Sequence, residues 1–314
     1  MTITKPPVDA AVVVATGTAV NKDADAHVAT APRPLTGEQL ASLPRIHNPA
    51  VSPDGHWLIY SEHHYSLATN RHSSHLCLVD IHDAADDDDD DAVTSTTSKA
   101  IRLTESLFNT IDDNPFWIDS NTVGFLSSRS GYTQLWTATI AHGHTKQAEQ
   151  GTLGRLKQLS HWYGHILTAR YHQASRQLVF SAMVHQHGRA LAGMAHTSRN
   201  GGSTGEKDSG IVYDQLYVRQ WDRYTDGQRQ QLFAVRIKQS LLYGYQIDDE
   251  PVNLMATHAA LECPSYPFGS VHDYTLAPDA RESCLSTGDD CSLPGVMRPA
   301  RPNSTYCIFR AIAS

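Results

Sequence analysis

One phrase returns along this chain, and any fold must give each copy an equivalent place. Asn48-Pro49-Ala50-Val51, Leu58-Ile59-Tyr60, Leu76-Cys77-Leu78 and Ile101-Arg102-Leu103-Thr104 recur as Asn114-Pro115-Phe116-Trp117, Val123-Gly124-Phe125, Gln134-Leu135-Trp136 and Leu156-Lys157-Gln158-Leu159-Ser160. A third copy runs through Leu178-Val179-Phe180-Ser181, Gln231-Leu232-Phe233-Ala234-Val235 and Val252-Asn253-Leu254-Met255, and a fourth opens at Tyr274-Thr275-Leu276-Ala277-Pro278-Asp279. In Ser52-Pro53-Asp54-Gly55, proline presets the first corner and glycine takes the left-handed one, so Trp57-Leu58-Ile59-Tyr60 leaves the turn as a strand. Each unit reads as a four-stranded antiparallel meander whose first strand precedes the turn.

Several strands are apolar on consecutive residues, as in Trp57 to Tyr60 and Leu178 to Phe180. A sheet with one wet face would alternate, so both faces are covered. Repeated meanders covered on both sides are the blades of a β-propeller; a sandwich gives no reason for the same turn and strand order to return. The fold class is therefore all-β. Three units and the start of a fourth make an incomplete propeller of about three to four blades, since closed propellers have roughly four to eight.

Order begins near Leu35, where Thr36 and Gln39 have capping-box spacing for a brief helix. Residues 1–33 read as a disordered leader, 34–280 as the propeller portion with mobile insertions at 83–99 and 185–211, and 281–314 as an irregular tail without a further repeat. Asp86 to Asp91 supply six of the negative charges in a net charge of −8, leaving 27 acidic against 25 basic residues. That balance offers no basic surface for nucleic acid, and no apolar run reaches the ~20 residues of a membrane-spanning helix. Five cysteines, Cys77, Cys263, Cys284, Cys291 and Cys307, are too sparse for a disulfide framework. A cytoplasmic location is expected, with secretion through Ala10 to Val20 as the alternative.

The chemistry of the chain is mainly one of missing parts. No Gly-x-Ser-x-Gly presents a serine nucleophile, and Ser270, His272 and Asp273 are too close in sequence to converge as a triad, so that segment reads as the start of a strand. Eighteen histidines suggest metal binding. His161 and His165, four apart, lack the glutamate of a zinc-protease helix, and His63-His64, His142/His144 and His185/His187 read as surface histidines in polar loops. No phosphate-cradling glycine loop occurs either. The expectation is no catalytic, cofactor-binding or metal residue, and no cofactor.

Leu35-Thr36-Gly37-Glu38-Gln39-Leu40, Asn48 to Gly55, Ser127-Ser128-Arg129-Ser130-Gly131 with Gln134-Leu135-Trp136, and Val212-Tyr213-Asp214 through Val218-Arg219-Gln220-Trp221-Asp222 together resemble the N-terminal propeller of the prolyl oligopeptidase family. The resemblance is to its dipeptidyl peptidase V and acylaminoacyl peptidase-like branch; Ser-Pro-Asp-Gly alone also marks TolB-like propellers. It continues through Glu262-Cys263-Pro264 and Pro267-Phe268-Gly269 and spans about residues 34–280. It implies a seven-bladed propeller that gates peptides into a C-terminal α/β-hydrolase domain with a Ser-Asp-His triad, a domain this chain does not contain. Trp221 and Asp222 fall on the segment that could face that domain, with packing the preferred role for Trp221. The resemblance thus implies a truncated or mispredicted form of a larger serine peptidase, not catalytic by itself, acting on peptides through the parent enzyme. The alternative is a stand-alone propeller scaffold for a protein partner, and a third reading, a histidine-rich metal binder, is set aside.

Overall fold

The computed structural model describes residues 34–81, 100–105, 109–140, 153–162, 164–185, 218–220, 223–224, 228–248, 250–256, 261–265, 269–276, 282–287 and 305–310. One helix, α1 (Gly37–Ser42), begins at the expected capping box: Thr36 Oγ1 accepts from Gln39 N–H and the Gln39 side chain accepts from Thr36 N–H. Among the described residues, those after it form strands and turns: β1 (Arg45–Val51), β2 (Trp57–Ser66), β3 (Arg71–Asp80), β4 (Ile101–Arg102), β5 (Asp112–Asp119), β6 (Thr122–Ser130), β7 (Tyr132–Ile140), β8 (Leu153–Gln158), β9 (Ile166–His172), β10 (Gln177–His185), β11 (Arg219–Gln220), β12 (Arg223–Tyr224), β13 (Gln228–Ser240), β14 (Gly244–Ile247), β15 (Val252–Asn253), β16 (Tyr274–Leu276), β17 (Glu282–Thr287) and β18 (Thr305–Arg310).

The strands pair as antiparallel meanders in sequence order: β1-β2-β3-β4, β5-β6-β7-β8, then β9-β10-β13 with β14 and β15 both on the far side of β13, then β16-β17-β18. These are four successive blades, the last with three described strands. Gly55 sits at φ 78, as the Ser52-Pro53-Asp54-Gly55 turn requires, and Ser52 N–H closes it onto Trp57 O at 2.8 Å.

The repeat fixes equivalent bonds as well as equivalent strands. Leu103, Leu159 and Leu254 each donate N–H to the carbonyl of Leu76, Leu135 and Leu232. The next residue then takes the N–H of that same partner: Thr104 Oγ1 from Leu76 at 2.9 Å, Ser160 Oγ from Leu135 at 2.8 Å and Met255 Sδ from Leu232 at 3.4 Å. A buried strand amide beyond the end of its ladder needs a partner, and each of the first three blades supplies it from one place in the repeat.

Each pair of neighbouring blades encloses one apolar seam. Ile59, Leu76, Leu78 and Leu103 meet Trp117, Val123, Phe125 and Ala138 in the first. Leu126, Leu135 and Leu159 meet Ile166, Leu178, Phe180, Phe233 and Val235 in the second. Val179, Leu232, Ala234 and Met255 meet Cys263 and Tyr274 in the third. Along β13, Leu232 and Ala234 enter one seam while Phe233, Val235 and Ile237 enter the other. Side chains of successive strand residues point to opposite faces, so a strand between two seams must be apolar on both, at roughly 1.5–3 kcal/mol for each large side chain withdrawn from water. The described sheets do not close into a ring. Among the described residues the first blade is covered by another sheet only on its β5 side, and β1 is largely exposed, with Ile46 at 64% and Val51 at 57%.

Three local expectations change. His63 and His64 lie within β2, paired to Ser74 and Ser73 of β3, and His185 ends β10, paired to Gln228 of β13; none of the three is in a loop, because β2 continues past Tyr60 and β10 past Ser181. Val271–Asp273 is a short 3-10 turn before β16, where a strand start is expected: Ser270 Oγ accepts from His272 N–H and caps it. Residues 281–314 read as irregular, yet Glu282–Thr287 and Thr305–Arg310 are strands that extend β16 into a meander. Cross-strand bonding supplies order there that no repeated phrase announces. The leader 1–33, the insertion 83–99 and the insertion beyond His185 to 211 lie outside the described residues, as do Val212 to Tyr217, Trp221, Asp222, His142, His144 and His187.

Candidate functional site

Polar residues concentrate where one blade meets the next. Asn48 and Asn114, at the same point of the repeat, adopt φ 49 and φ 54, and the pairing register slips around each Asn-Pro step. Asparagine tolerates the left-handed region better than most residues, and proline brings no N–H to the ladder, so the dipeptide makes a bulge. Each bulge turns an amide toward the next blade. Asn48 Nδ2 donates to Asp113 Oδ1 at 2.8 Å. Asn114 Oδ1 accepts from Ala169 N–H at 3.1 Å and its Nδ2 donates to Ala169 O at 2.9 Å, pairing with β9 as a backbone peptide would.

Beside these clamps Asp112 is wholly buried, and its carboxylate is bound by the Arg129 guanidinium and by Ser127 Oγ at 2.6 Å. Ser74 Oγ donates to Asp112 O and accepts from Asp112 N–H, joining β3 to β5. Arg129 also lies against the rings of Phe125 and Trp136. A buried charge is tolerable only when paired and fully hydrogen-bonded; here Arg129, picked out by the family-like Ser-Ser-Arg-Ser-Gly run, compensates an aspartate that sequence reasoning does not single out.

A second group lies on the opposite face of the first blade. Ile59, Leu76 and Leu78 face the second blade, so Tyr60, Glu62 and His64 of β2 and His75 and Cys77 of β3 face away from it. Glu62 stands directly across from His75. His64 Nε2 lies 2.7 Å and His75 Nε2 3.6 Å from Glu62 Oε1, and the two imidazoles stack with centroids 5.1 Å apart. His75 is 1% exposed, with neither ring nitrogen in a hydrogen bond. Burial, with the Arg102 charge, lowers its pKa. The neighbouring Cys77 thiol is pushed up to about 11, first by burial and then by the Glu62 charge, so it is a poor nucleophile. Among the described residues this is the one cluster of three such side chains able to converge on an ion.

The other candidates separate. Ser270 Oγ is engaged in capping its own turn. His165 Nδ1 accepts from Thr133 N–H at 3.1 Å, while His161 lines a cleft of about 500 Å³ with Leu159, Trp162, Ile247, Asp248 and Glu250. That lining has carboxylates and an imidazole but no hydroxyl or thiol nucleophile. Among the described residues no helix is long and apolar enough to cross a membrane.

No family model matches the chain. Among curated proteins it is 25% identical over 251 residues to dipeptidyl-peptidase 5 of Aspergillus fumigatus, covering 79% of this chain and 31% of that protein. It is 23% identical over 260 residues to a probable dipeptidyl-peptidase 5 of Emericella nidulans, covering 79% and 30%. Looser likenesses to solved structures include Pyrococcus horikoshii acylaminoacyl peptidase (TM-score 0.43, 11% identity, 81% of this chain and 30% of that one) and the β-propeller domain of the Trilobed protease from Pyrococcus furiosus (TM-score 0.32, 9% identity, 84% and 71%). The chain spans about a third of the length of the curated relatives it matches. The repeated blades form an incomplete β-propeller, and the chain is similar to part of the dipeptidyl-peptidase 5 proteins, as the resemblance in its sequence implies.

Proposed function

We propose that this propeller gates peptides into the catalytic domain of a dipeptidyl peptidase V-like serine peptidase, with the hydrolase domain cleaving the bond. The observation that carries the reading is the similarity to dipeptidyl-peptidase 5 proteins over 79% of the chain, in a sequence that holds no Gly-x-Ser-x-Gly nucleophile motif. Blades stacked around an axis leave a narrow passage that admits an extended or short peptide and excludes a folded protein. Rigid seams suit that task, because a channel filters by size only if its walls hold their separation. The α/β-hydrolase domain and the peptide are the partners this reading requires.

Labelling with a fluorophosphonate, which reacts with activated serines, tests it. The purified chain should stay unlabelled and release no dipeptide from an unstructured peptide, whereas the native gene product should be longer, take the label and release dipeptides. Labelling of this chain by itself, or a native product no longer than this chain that resists the label, would contradict the proposal.

A further inference from the structure

We propose that Glu62, His64 and His75 form a binding site for a divalent transition-metal ion such as zinc, on the face of the first blade that points away from the second. Two imidazole nitrogens and one carboxylate oxygen are a donor set that suits zinc and discriminates against calcium and magnesium, which prefer oxygen alone. The three ligand atoms lie within 4.8 Å of one another. Two ligands held ~2.1 Å from a tetrahedral ion are roughly 3.4 Å apart. The His75-to-Glu62 separation of 3.6 Å already fits, while the His64-to-Glu62 contact of 2.7 Å must open and the His64 ring must turn out of its stack on His75 for both imidazoles to face one ion.

Two features of the backbone hold the donors ready. Glu62 and His64 are two residues apart on β2 and so share a face, and the β2–β3 register places His75 opposite Glu62. The independent indication is His75 itself: a side chain 1% exposed whose ring nitrogens lack any hydrogen-bond partner, with Nε2 directed toward Glu62. A buried polar atom without a partner is costly, and a metal ion at this position satisfies it. His64, 34% exposed, gives the ion a path from solvent. Three protein ligands leave a fourth tetrahedral position open to water or another donor, and an ion there would clip β2 to β3.

Zinc chloride titrated into the full chain against a chromogenic chelator tests the site. One equivalent should bind, its affinity falling about tenfold or more in Glu62→Gln and in His64→Ala, and staying unchanged in His272→Ala, which alters an exposed histidine elsewhere. Far-UV circular dichroism verifies that each variant keeps its strands. Copper(II) in place of zinc should give an electron paramagnetic resonance spectrum with two coupled imidazole nitrogens, reduced to one in His64→Ala. Absence of a stoichiometric equivalent, wild-type affinity in both site variants, or a copper spectrum indifferent to His64 would overturn the assignment.

Discussion

Asp113 shows how a single side chain can make a blade junction sensitive to acid. Burial by itself would raise its carboxyl pKa, but the His63 ring, the Asn48 amide and the Asn114 N–H outweigh that and hold it at about 2. The contacts are 3.6 Å to His63 Nε2, a separation for charge attraction and not for a hydrogen bond, with true hydrogen bonds of 2.8 Å from Asn48 Nδ2 and 2.7 Å from Asn114 N–H. A carboxyl that titrates near 3.9 unfolded and lower when folded contributes stability fully above the unfolded value. It loses that contribution as pH falls through the folded one. Urea melts of the wild type should therefore weaken between roughly pH 4 and pH 2, and Asp113→Asn should lose that part of the pH slope. A slope unchanged in the variant would refute this role for Asp113.

At the scale of the element, the repeat conserves volume where it does not conserve residues. Ala50 stands across from Ile59 in the first blade, and Phe116 stands across from Gly124 at the same point of the second. The Phe116 ring lies over Gly124, so that a Cβ there would fall 2.3 Å from it. Gly124→Ala should destabilise the chain by about 2 kcal/mol, in the usual range for overpacking. Adding Phe116→Leu should recover part of the loss, a coupling that a double-mutant cycle by chemical denaturation measures; strictly additive losses would count against the contact. The blades were legible beforehand because Ser52-Pro53-Asp54-Gly55 and the runs around Tyr60, Phe125 and Phe180 carry their own local instructions. The hairpin β13–β14 was not. Its tip, Leu241 to Tyr243, is apolar but exposed, and the hairpin is held by bonds distant in sequence: Lys157 Nζ to Tyr243 O and Tyr245 O, and Tyr245 Oη to Asp119 Oδ2. The Glu62, His64 and His75 cluster had a partial signal. Strand alternation puts Glu62 and His64 on one face, but finding His75 requires the register across the β2–β3 turn, and that register is set only when the hairpin forms.

In the whole molecule, the first strand of each later blade is the connector to the blade before it. β5 packs against β1, β2 and β3 on one side and β9 on the other, and β9 packs in turn against β16. Trp117 Nε1 reaches back to Ala50 O at 3.0 Å, Asn114 reaches forward to Ala169, and Thr168 Oγ1 and Arg170 Nε reach forward to Tyr274 Oη and Val271 O. This succession is what a peptide passage would depend on, and the gating reading does not survive without it. Nuclear magnetic resonance on deuterated, methyl-labelled chain tests it most directly, through long-range Overhauser contacts among β1, β5, β9 and β16. The account predicts antiparallel contacts within each blade and side-chain contacts from β5 to both β1 and β9, with Val123 seen from the first seam and Leu126 from the second. Contacts joining parallel strands through helices, or joining just two facing layers, would contradict it.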